Sequence, residues 1–436
     1  MPSVFVRGEV KKILINKGYL KAGADTTCKF AFAFVKWVLI AVAVGSVGGL
    51  VGTLFHMAVN KATEIRESAP WLVYFLPLGG LAIVFLYRVS KTDEDAGTNL
   101  IISSIRTNTH VPVLMAPLIF ISTCITHLLG GSAGREGAAL QLGGSIGAKA
   151  GELLHLDEKD TSLVIMCGMS GVFAALFGTP LTACFFAMEV ISVGVIYYVG
   201  LVPCLGSALV AYKVSLLFKM APVRFDISRF VPPLELTSLL QVGVLSALCA
   251  VVSILFCMTM KYTHDKMKMH FSNSYLKAFA GGVVIVLLTV IIGTYDYNGA
   301  GMAVIERALV QGKADWYDFI FKIIFTAVTI GSGFKGGEIV PTLFIGSAFG
   351  CAAAPLLGME PQFGAAVGIA ALFCGVVNCP AASIFLSLEM FGSEGLLLFA
   401  AASGVSYMLS GYYGLYSSQK IMYSKLKPEY INVNAK

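Results

Sequence analysis

This 436-residue chain includes several long stretches without a charged residue, among them five that are each long enough to cross the apolar core of a bilayer, which needs roughly 20 residues. They occupy positions 161–188, 190–212, 339–359, 361–388 and 395–419. Hydrophobic residues make up 57% of the chain and charged residues only 13%. The sequence therefore predicts an all-α polytopic membrane protein.

Glycine and proline interrupt these apolar stretches, since the chain holds 46 glycines and 15 prolines. We therefore expect transmembrane helices that are short, broken or tilted. Broken backbone at membrane depth persists only where protein or a water-filled cavity satisfies its polar groups. This composition is typical of a transporter or channel and not of a simple membrane anchor.

Basic residues cluster at the ends of the chain, which predicts the topology. Six of them, from Arg7 to Lys29, precede or begin the first apolar segment, and four, from Lys420 to Lys436, follow the last one. The loop at 261–277 is also basic. By the positive-inside rule both termini are expected to be cytoplasmic. The net charge of +6 then reflects topology, and no nucleic-acid partner is expected.

The order of segments predicts one transport domain made of two repeats, without a soluble regulatory domain. The expected divisions are a cytoplasmic leader at 1–28, a first repeat at 29–212, a linker at 213–235, a second repeat at 236–411 and a C-terminal helix or tail at 412–436.

Sequence identities between the two halves support this division. Gly134, Glu136, Gly144 and Ser145 recur 202 positions later as Gly336, Glu338, Gly346 and Ser347. The segment from Pro180 to Glu189 recurs 200 positions later as the segment from Pro380 to Glu389. Identity alone leaves the relative orientation of the repeats open. Inverted repeats are one common solution, in which the site lies near the membrane midplane between them.

Two glutamates, Glu136 and Glu338, each occupy a glycine-rich break at the start of an apolar stretch. An ionisable group at membrane depth is by default a functional-site hypothesis. A helix start presents unpaired N–H groups to an anion. A glutamate can fill that position itself and, once protonated, can move away so that an anion enters. The alternative is an acid that only complements the helix dipole.

Other motifs favour structural roles. The glycines at 331–336 match GxGxxG, but their apolar flanks do not form the βαβ unit that a dinucleotide site requires. Glu189 and Glu389 end apolar segments and are expected to be interface-facing or hydrogen-bonded, and His127 is expected to be buried and hydrogen-bonded. The ten cysteines form no CxxC or Cys/His cluster, so we expect no metal site and no disulfide. We also find no enzyme motif and expect no cofactor.

Taken together, these motifs resemble the CLC family of chloride channels and chloride/proton antiporters. Residues 134–138 resemble the family's GREGP box, with Ala138 in place of proline, and residues 331–341 resemble its GSGxPGGxFxP box. Residues 414–417 resemble its late tyrosine box. The resemblance implies an inverted-repeat fold of broken helices and a homodimer with one pore per subunit. It also implies that Glu136 is the gating glutamate and that the hydroxyl of Tyr416 faces the central anion.

Departures from the family pattern resemble its fluoride/proton antiporter branch. Thr98 stands at or near the position of the family's anion-coordinating serine, in a stretch without the family's proline. Glu338 precedes Ile339 where chloride transporters carry an apolar residue and then phenylalanine. Val190 stands where chloride/proton exchangers carry a second, inner glutamate.

The resemblance therefore implies export of fluoride in exchange for protons across a plasma membrane, the inner membrane in a bacterial cell. Glu136 and Glu338 would transfer protons and gate the path. The expected anion-binding residues are Thr98, Asn99, Gly134, Arg135, Gly137, Ile339 and Tyr416. Two alternatives stay open: a chloride/proton antiporter or chloride channel of the same family, and a non-transporting membrane scaffold.

Overall fold

The computed structural model describes residues 3–92, 97–107 and 109–436, with side chains from residue 26 onward. Seven helical segments in these ranges are long and apolar enough to cross a membrane, and several other apolar helices are shorter. The prediction of a helical, polytopic membrane protein is thus confirmed. The acidic run at 93–95 lies outside the described residues.

Sixteen α-helices occur in the described part of the chain. In the first half they are α1 (Ser3–Ser68), α2 (Leu76–Val89), α3 (Gly97–Thr107), α4 (Met115–Leu128), α5 (Glu136–Leu153), α6 (Glu158–Phe177), α7 (Pro180–Glu189) and α8 (Leu201–Leu217). In the second half they are α9 (Leu236–His270), α10 (Ser274–Ile292), α11 (Met302–Glu306), α12 (Asp318–Gly331), α13 (Ile339–Ala353), α14 (Pro361–Val377), α15 (Pro380–Phe391) and α16 (Leu396–Leu409). A π-helical turn at Arg307–Gln311 continues α11.

The longest apolar stretch of each half is broken at the same place. Helix α6 ends at Gly178 with a φ of +72°, and α14 ends at Asn378 with a φ of +57°. Each left-handed residue stops its helix, and a proline two residues later starts the next one, α7 or α15. The sequence predicted one apolar segment at each place, and the structure divides each into two helices.

Helices α7 and α15 show that the repeats are inverted. The Glu389 carboxylate near the end of α15 accepts hydrogen bonds from the backbone N–H groups of Leu181 and Thr182 at the start of α7, both at 2.9 Å. In return, Glu189 at the end of α7 accepts them from Ala381 and Ala382 at 3.2 and 2.9 Å. Each helix start faces the other helix end, so the two helices are antiparallel.

The register between the repeats differs by one residue from the one that sequence identity suggested. Gly134 pairs with Gly337 in an antiparallel bridge, and Arg135 and Glu338 each immediately precede a helix, α5 and α13. The structural offset at this point is therefore 203, and Glu136 corresponds to Ile339. The prediction that Glu136 and Glu338 occupy equivalent positions is wrong. Glycine-rich segments align by identity in more than one register, whereas backbone pairing allows only one.

The C-terminal segment, predicted as a helix or tail, forms a small sheet. Strands β1 (Ser192–Val193), β2 (Lys420–Tyr423) and β3 (Tyr430–Asn434) lie in that order, with β1 parallel to β2 and β2 antiparallel to β3. Buried Gln419 donates from Nε2 to the carbonyl oxygens of Val190 and Val377, at 3.0 and 2.9 Å. These contacts hold the segment that carries Tyr416 against the ends of α7 and α14.

Candidate functional site

The starts of α5 and α13 meet backbone to backbone. The N–H of Gly134 donates to the carbonyl of Gly337 at 2.6 Å, and the N–H of Gly337 donates to the carbonyl of Gly134 at 2.8 Å. We call residues 134–137 and 336–339 the crossing. A Cβ atom on Gly337 would lie 2.3 Å from the backbone nitrogen of Gly137, so only glycine allows this approach. Two helix N-termini, each with N–H groups that lack intrahelical acceptors, thus converge at one place.

Glu136, the first residue of α5, is fully buried at the crossing. Its Oε2 atom accepts a hydrogen bond from the backbone N–H of Arg135 at 3.0 Å. Its Oε1 atom lies 3.6 Å from Nε of Arg135 and has no hydrogen-bond partner among the described residues. One carboxylate oxygen therefore retains its capacity to accept a proton or a hydrogen bond.

Glu338 lies on the other side of the crossing, one residue before α13 begins. Its Oε2 atom is buried and has no hydrogen-bond partner in the described part of the chain. A Cβ atom on Gly137 would meet this oxygen at 3.1 Å, and a Cβ atom on Gly134 would meet Oε2 of Glu136 at 2.7 Å. Both carboxylates consequently lie against the start of α5, and glycines make room for them.

Tyr416 brings a third unpartnered polar atom to this region. The residue is 2% exposed, and its hydroxyl has no hydrogen-bond partner among the residues described. The hydroxyl lies within electrostatic range of Glu338 and Glu136. The sequence-predicted Glu136 and Glu338 therefore meet at the crossing, and Tyr416, from a third segment, is buried within electrostatic range of both.

Thr98, in the first turn of α3, also reaches α5. Its buried hydroxyl donates to the carbonyl of Gly137 at 3.3 Å and accepts from Nε2 of Gln141 at 3.2 Å. The hydroxyl must turn from this carbonyl before it can donate to an anion. Asn99 points elsewhere, since its Oδ1 atom accepts from the backbone N–H of Ser418 at 3.0 Å. Asn99 thus joins α3 to the segment that follows Tyr416.

The two remaining predicted residues differ in character. Ile339 is buried and opens α13, where its side chain offers no polar atom. The guanidinium of Arg135 lies with Nε 3.6 Å from Oε1 of Glu136 and donates from Nη1 to Oδ1 of Asn60 in α1. Ile339 can contribute only its backbone N–H to an anion, whereas Arg135 contributes a charge close to Glu136.

The sequence analysis did not identify three buried polar residues near the crossing. Gln141 holds the Thr98 hydroxyl, and both Arg66 and Lys322 are buried beside His127 and the loop at 295–304. Lys322 had a readable signal, because a lone lysine within the apolar helix α12 is an intramembrane charge. His127 is buried as expected, and its Nε2 atom lies 3.3 Å from the carbonyl oxygen of Gly134.

Comparison with known proteins gives consistent matches over most of the chain. Residues 78–411 match the voltage gated chloride channel family. The chain is 34% identical over 397 residues to a chloride/fluoride channel protein of Pseudomonas syringae pv. tomato, which covers 89% of this chain and 87% of that protein. It is 26% identical over 424 residues to an H(+)/Cl(-) exchange transporter of Vibrio campbellii, covering 90% and 88%. The fold is similar to the crystal structure of a CLC-type fluoride/proton antiporter, with a TM-score of 0.85, 32% identity and coverage of 89% and 98%.

Proposed function

The chain belongs to the voltage gated chloride channel (CLC) family, and on that premise we propose that it is a fluoride/proton antiporter that exports cytoplasmic fluoride. The observation that supports this proposal is that Glu136 and Glu338 each keep a buried, unpartnered oxygen at the crossing, Oε1 and Oε2, while the buried hydroxyl of Tyr416 is also without a partner among the described residues. We further propose a homodimer in the plasma membrane, with both termini in the cytoplasm.

The donors at this place suit a small, strongly hydrated anion. Fluoride accepts hydrogen bonds well, so it needs donors to replace its lost water. The first turns of α5 and α13 supply backbone N–H groups and positive dipole ends, and Tyr416 supplies a hydroxyl. Thr98 adds a second hydroxyl when it turns from Gly137. The N–H groups of Gly137 and Ile339 are the backbone donors that we assign to the anion.

Glu136 acts in this proposal as the gate. Its carboxylate occupies the start of α5, where an anion would otherwise bind, and protonation removes the charge that holds it there. The neutral side chain then moves away and the anion enters. When Glu136 returns it releases its proton, so one residue exchanges a proton for an anion.

Glu338 acts as the second proton carrier. Glu189 is the acid nearest to Val190, where the family's exchangers carry an inner glutamate, but both oxygens of Glu189 accept backbone hydrogen bonds from α15. Glu338 instead keeps one oxygen unpartnered. We therefore assign to Glu338 the transfer of protons between the cytoplasm and Glu136.

Flux measurements on purified protein in liposomes test the proposal, with fluoride and chloride electrodes read in parallel while pH is followed. We expect fluoride efflux, opposite proton movement and little chloride flux. Chloride flux equal to or greater than fluoride flux would instead favour a chloride/proton exchanger, to which the 26% identity with the Vibrio transporter also points.

The variant Glu338→Gln tests the proton route. We expect it to abolish proton movement while the protein still folds. The matched control is Glu360→Gln, because Glu360 also immediately precedes a helix, α14, but is exposed. Normal proton coupling in Glu338→Gln would overturn the assignment.

A further inference from the structure

Tyr416 lies in a stretch of irregular backbone, residues 414–419, which we call the tyrosine segment. No helix or strand ladder fixes the position of its buried hydroxyl. The buried backbone groups of such a stretch need partners from other parts of the chain. The tyrosine segment finds them in two sets of contacts, one with the ends of α7 and α14 and the other with α3.

The first set holds the two ends of the tyrosine segment. The backbone N–H of Leu415 donates to the carbonyl of Val376 at 2.9 Å. At the other end, fully buried Gln419 donates from Nε2 to the carbonyl oxygens of Val190 and Val377, at 3.0 and 2.9 Å. These contacts fix the ends of the segment against α7 and α14 and leave its middle to the second set.

The second set engages the backbone N–H, the hydroxyl and the carbonyl of Ser418. The N–H donates to Oδ1 of Asn99 at 3.0 Å, and the hydroxyl accepts from Oγ of Ser103 at 3.0 Å. The carbonyl accepts from Nη2 of Arg106 at 2.6 Å. Positions 99, 103 and 106 are four and three residues apart, so they share one face of α3. We call these three α3 residues the α3 clamp.

Arg106 contributes to the clamp through a single donor. It stands in the last turn of α3, and its side-chain hydrogen bond within the described residues is the one to Ser418. Its Nε atom is buried and has no partner in that part of the chain. The guanidinium therefore does not act as a bidentate fork here, and a lysine can supply an equivalent N–H donor.

Helix α3 also carries Thr98, next to Asn99 in its first turn. The Thr98 hydroxyl contacts the start of α5 through Gly137 and Gln141. Side chains on a helix are held more precisely than side chains on a loop. The clamp therefore ties the position of the tyrosine segment to the helix that positions the Thr98 hydroxyl.

We propose that the α3 clamp is a set of positioning residues that makes the protein select a small anion over a larger one. This inference rests on the proposed function, because it concerns the hydroxyls of Thr98 and Tyr416 that are assigned there to fluoride. Donors held at a fixed separation cannot move apart to admit chloride, whereas a donor on an unheld segment can. The difference between the two anions is what selectivity measures. Asn99, which the sequence predicted to bind the anion, acts in this account through Tyr416.

Flux from liposomes loaded with equal fluoride and chloride tests the clamp. Arg106→Met removes the donor and keeps an apolar stem, and Arg106→Lys restores one donor. We expect the ratio of fluoride to chloride flux to fall about tenfold in Arg106→Met, as loss of one hydrogen bond to a charged group allows, and to recover in Arg106→Lys. The KM for fluoride should rise while kcat changes less, because the clamp positions donors and transfers no proton.

Further variants separate position from charge. Asn99→Leu removes the acceptor of the Ser418 N–H without changing the net charge, and it should lower the ratio as Arg106→Met does. Because both act through Ser418, the double variant should lose little more than either single one. Arg88→Met is the control, since Arg88 lies in the last turn of α2 and contacts the ring of Tyr275. An unchanged ratio in Arg106→Met and Asn99→Leu, or an equal fall in Arg88→Met, would overturn the proposal.

Hydrogen exchange gives a reading that involves no transport. The backbone amides of residues 416–419 should exchange about tenfold faster in Asn99→Leu and Arg106→Met, because local opening then breaks fewer hydrogen bonds. Unchanged exchange would show that the clamp does not hold the segment. If the unmodified protein carries chloride as well as fluoride, the proposed function fails and this readout still reports the clamp. If fluoride selectivity survives in both variants, only the present proposal fails.

Discussion

Two pairs of glutamates lie at helix starts between the repeats, and they differ in what satisfies them. Glu189 and Glu389 each use both carboxylate oxygens to accept backbone N–H groups of the opposite repeat, at 2.9 to 3.2 Å. Glu136 and Glu338 each keep one buried oxygen without a partner in the described chain. All four residues are glutamates whose carboxylates lie at helix N-termini, yet only Glu136 and Glu338 have an acceptor oxygen that is not used.

Under the proposed function, this difference separates acids that hold the fold together from acids that transfer protons. A carboxylate that accepts two backbone hydrogen bonds closes a helix start and joins two helices, so it stabilises the inverted repeat. A buried oxygen without a partner costs about 1–3 kcal/mol of stability. Such groups persist in native structures where a proton, ion or ligand uses them. The crossing is therefore the part of the interface between the repeats that is open to chemistry.

Gly337→Ala is expected to have the largest effect, because it breaks the crossing itself. The new Cβ atom would lie 2.3 Å from the nitrogen and 2.9 Å from the Cα of Gly137, and backbone atoms cannot move aside as side chains do. We expect flux to fall by about 10²-fold, as misplacement of reacting groups by 1 Å can cause. Gly243→Ala is the control, since nothing lies within 4 Å of its added Cβ. Normal flux in Gly337→Ala would show that the close approach is dispensable.

Glu136→Gln is expected to separate anion movement from proton movement. The amide cannot carry a proton, so the proton-coupled part of the flux should fall by up to about 10²-fold, the lower end of what a positioned acid or base contributes. Fluoride flux should become equal with and without a proton gradient. The comparison is sharpened by Glu189→Gln, which should remain coupled because Glu189 caps α15. Unchanged coupling in Glu136→Gln would exclude Glu136 as the exchanging group.

Glu389→Gln is expected to affect stability and not coupling. The substitution replaces charge-assisted hydrogen bonds to Leu181 and Thr182 with weaker ones and presents an amide N–H₂ group to backbone donors. We expect a loss of about 2 kcal/mol, seen as a lower unfolding temperature in detergent. Glu67→Gln serves as the control, since the Glu67 side chain is 67% exposed. Loss of proton coupling in a folded Glu389→Gln protein would remove the distinction between the two pairs.

The smallest expected effect is on the pH dependence of stability. It involves Lys425, which lies between strands β2 and β3. Burial lowers the pKa of Lys425 in the C-terminal tail from 10.5 to about 8. Between those two values the unfolded chain binds more protons than the folded chain, so stability should rise as pH increases from about 8 to 10.5. Thermal unfolding across this range should show the rise in the unmodified protein and a smaller one in Lys425→Met. Parallel pH profiles would show that Lys425 is not responsible.

Much of this protein follows from short-range sequence patterns. Charge-free stretches, the Gly–Pro breaks and the 200-residue recurrence of Pro180 to Glu189 predicted broken membrane helices in two repeats. The glycine-rich boxes around Glu136 and Glu338 predicted the two acids at helix starts. These features are readable because hydrophobicity, helix termination and motif spacing depend on neighbouring residues.

Only the tertiary structure decided which residues meet. The one-residue shift of register follows from backbone hydrogen bonds between Gly134 and Gly337, which leave no side-chain signature. The contrast between Glu136 and Glu389 depends on N–H groups supplied by a distant segment. The burial of Arg66 and Lys322 depends on carbonyl oxygens of His127, Tyr297 and Gly299, which lie far from them in sequence. Sequence determined where the ionisable groups stand along the chain, and long-range packing determined which of them remain unsatisfied, because solvation and hydrogen bonding depend on neighbours in space.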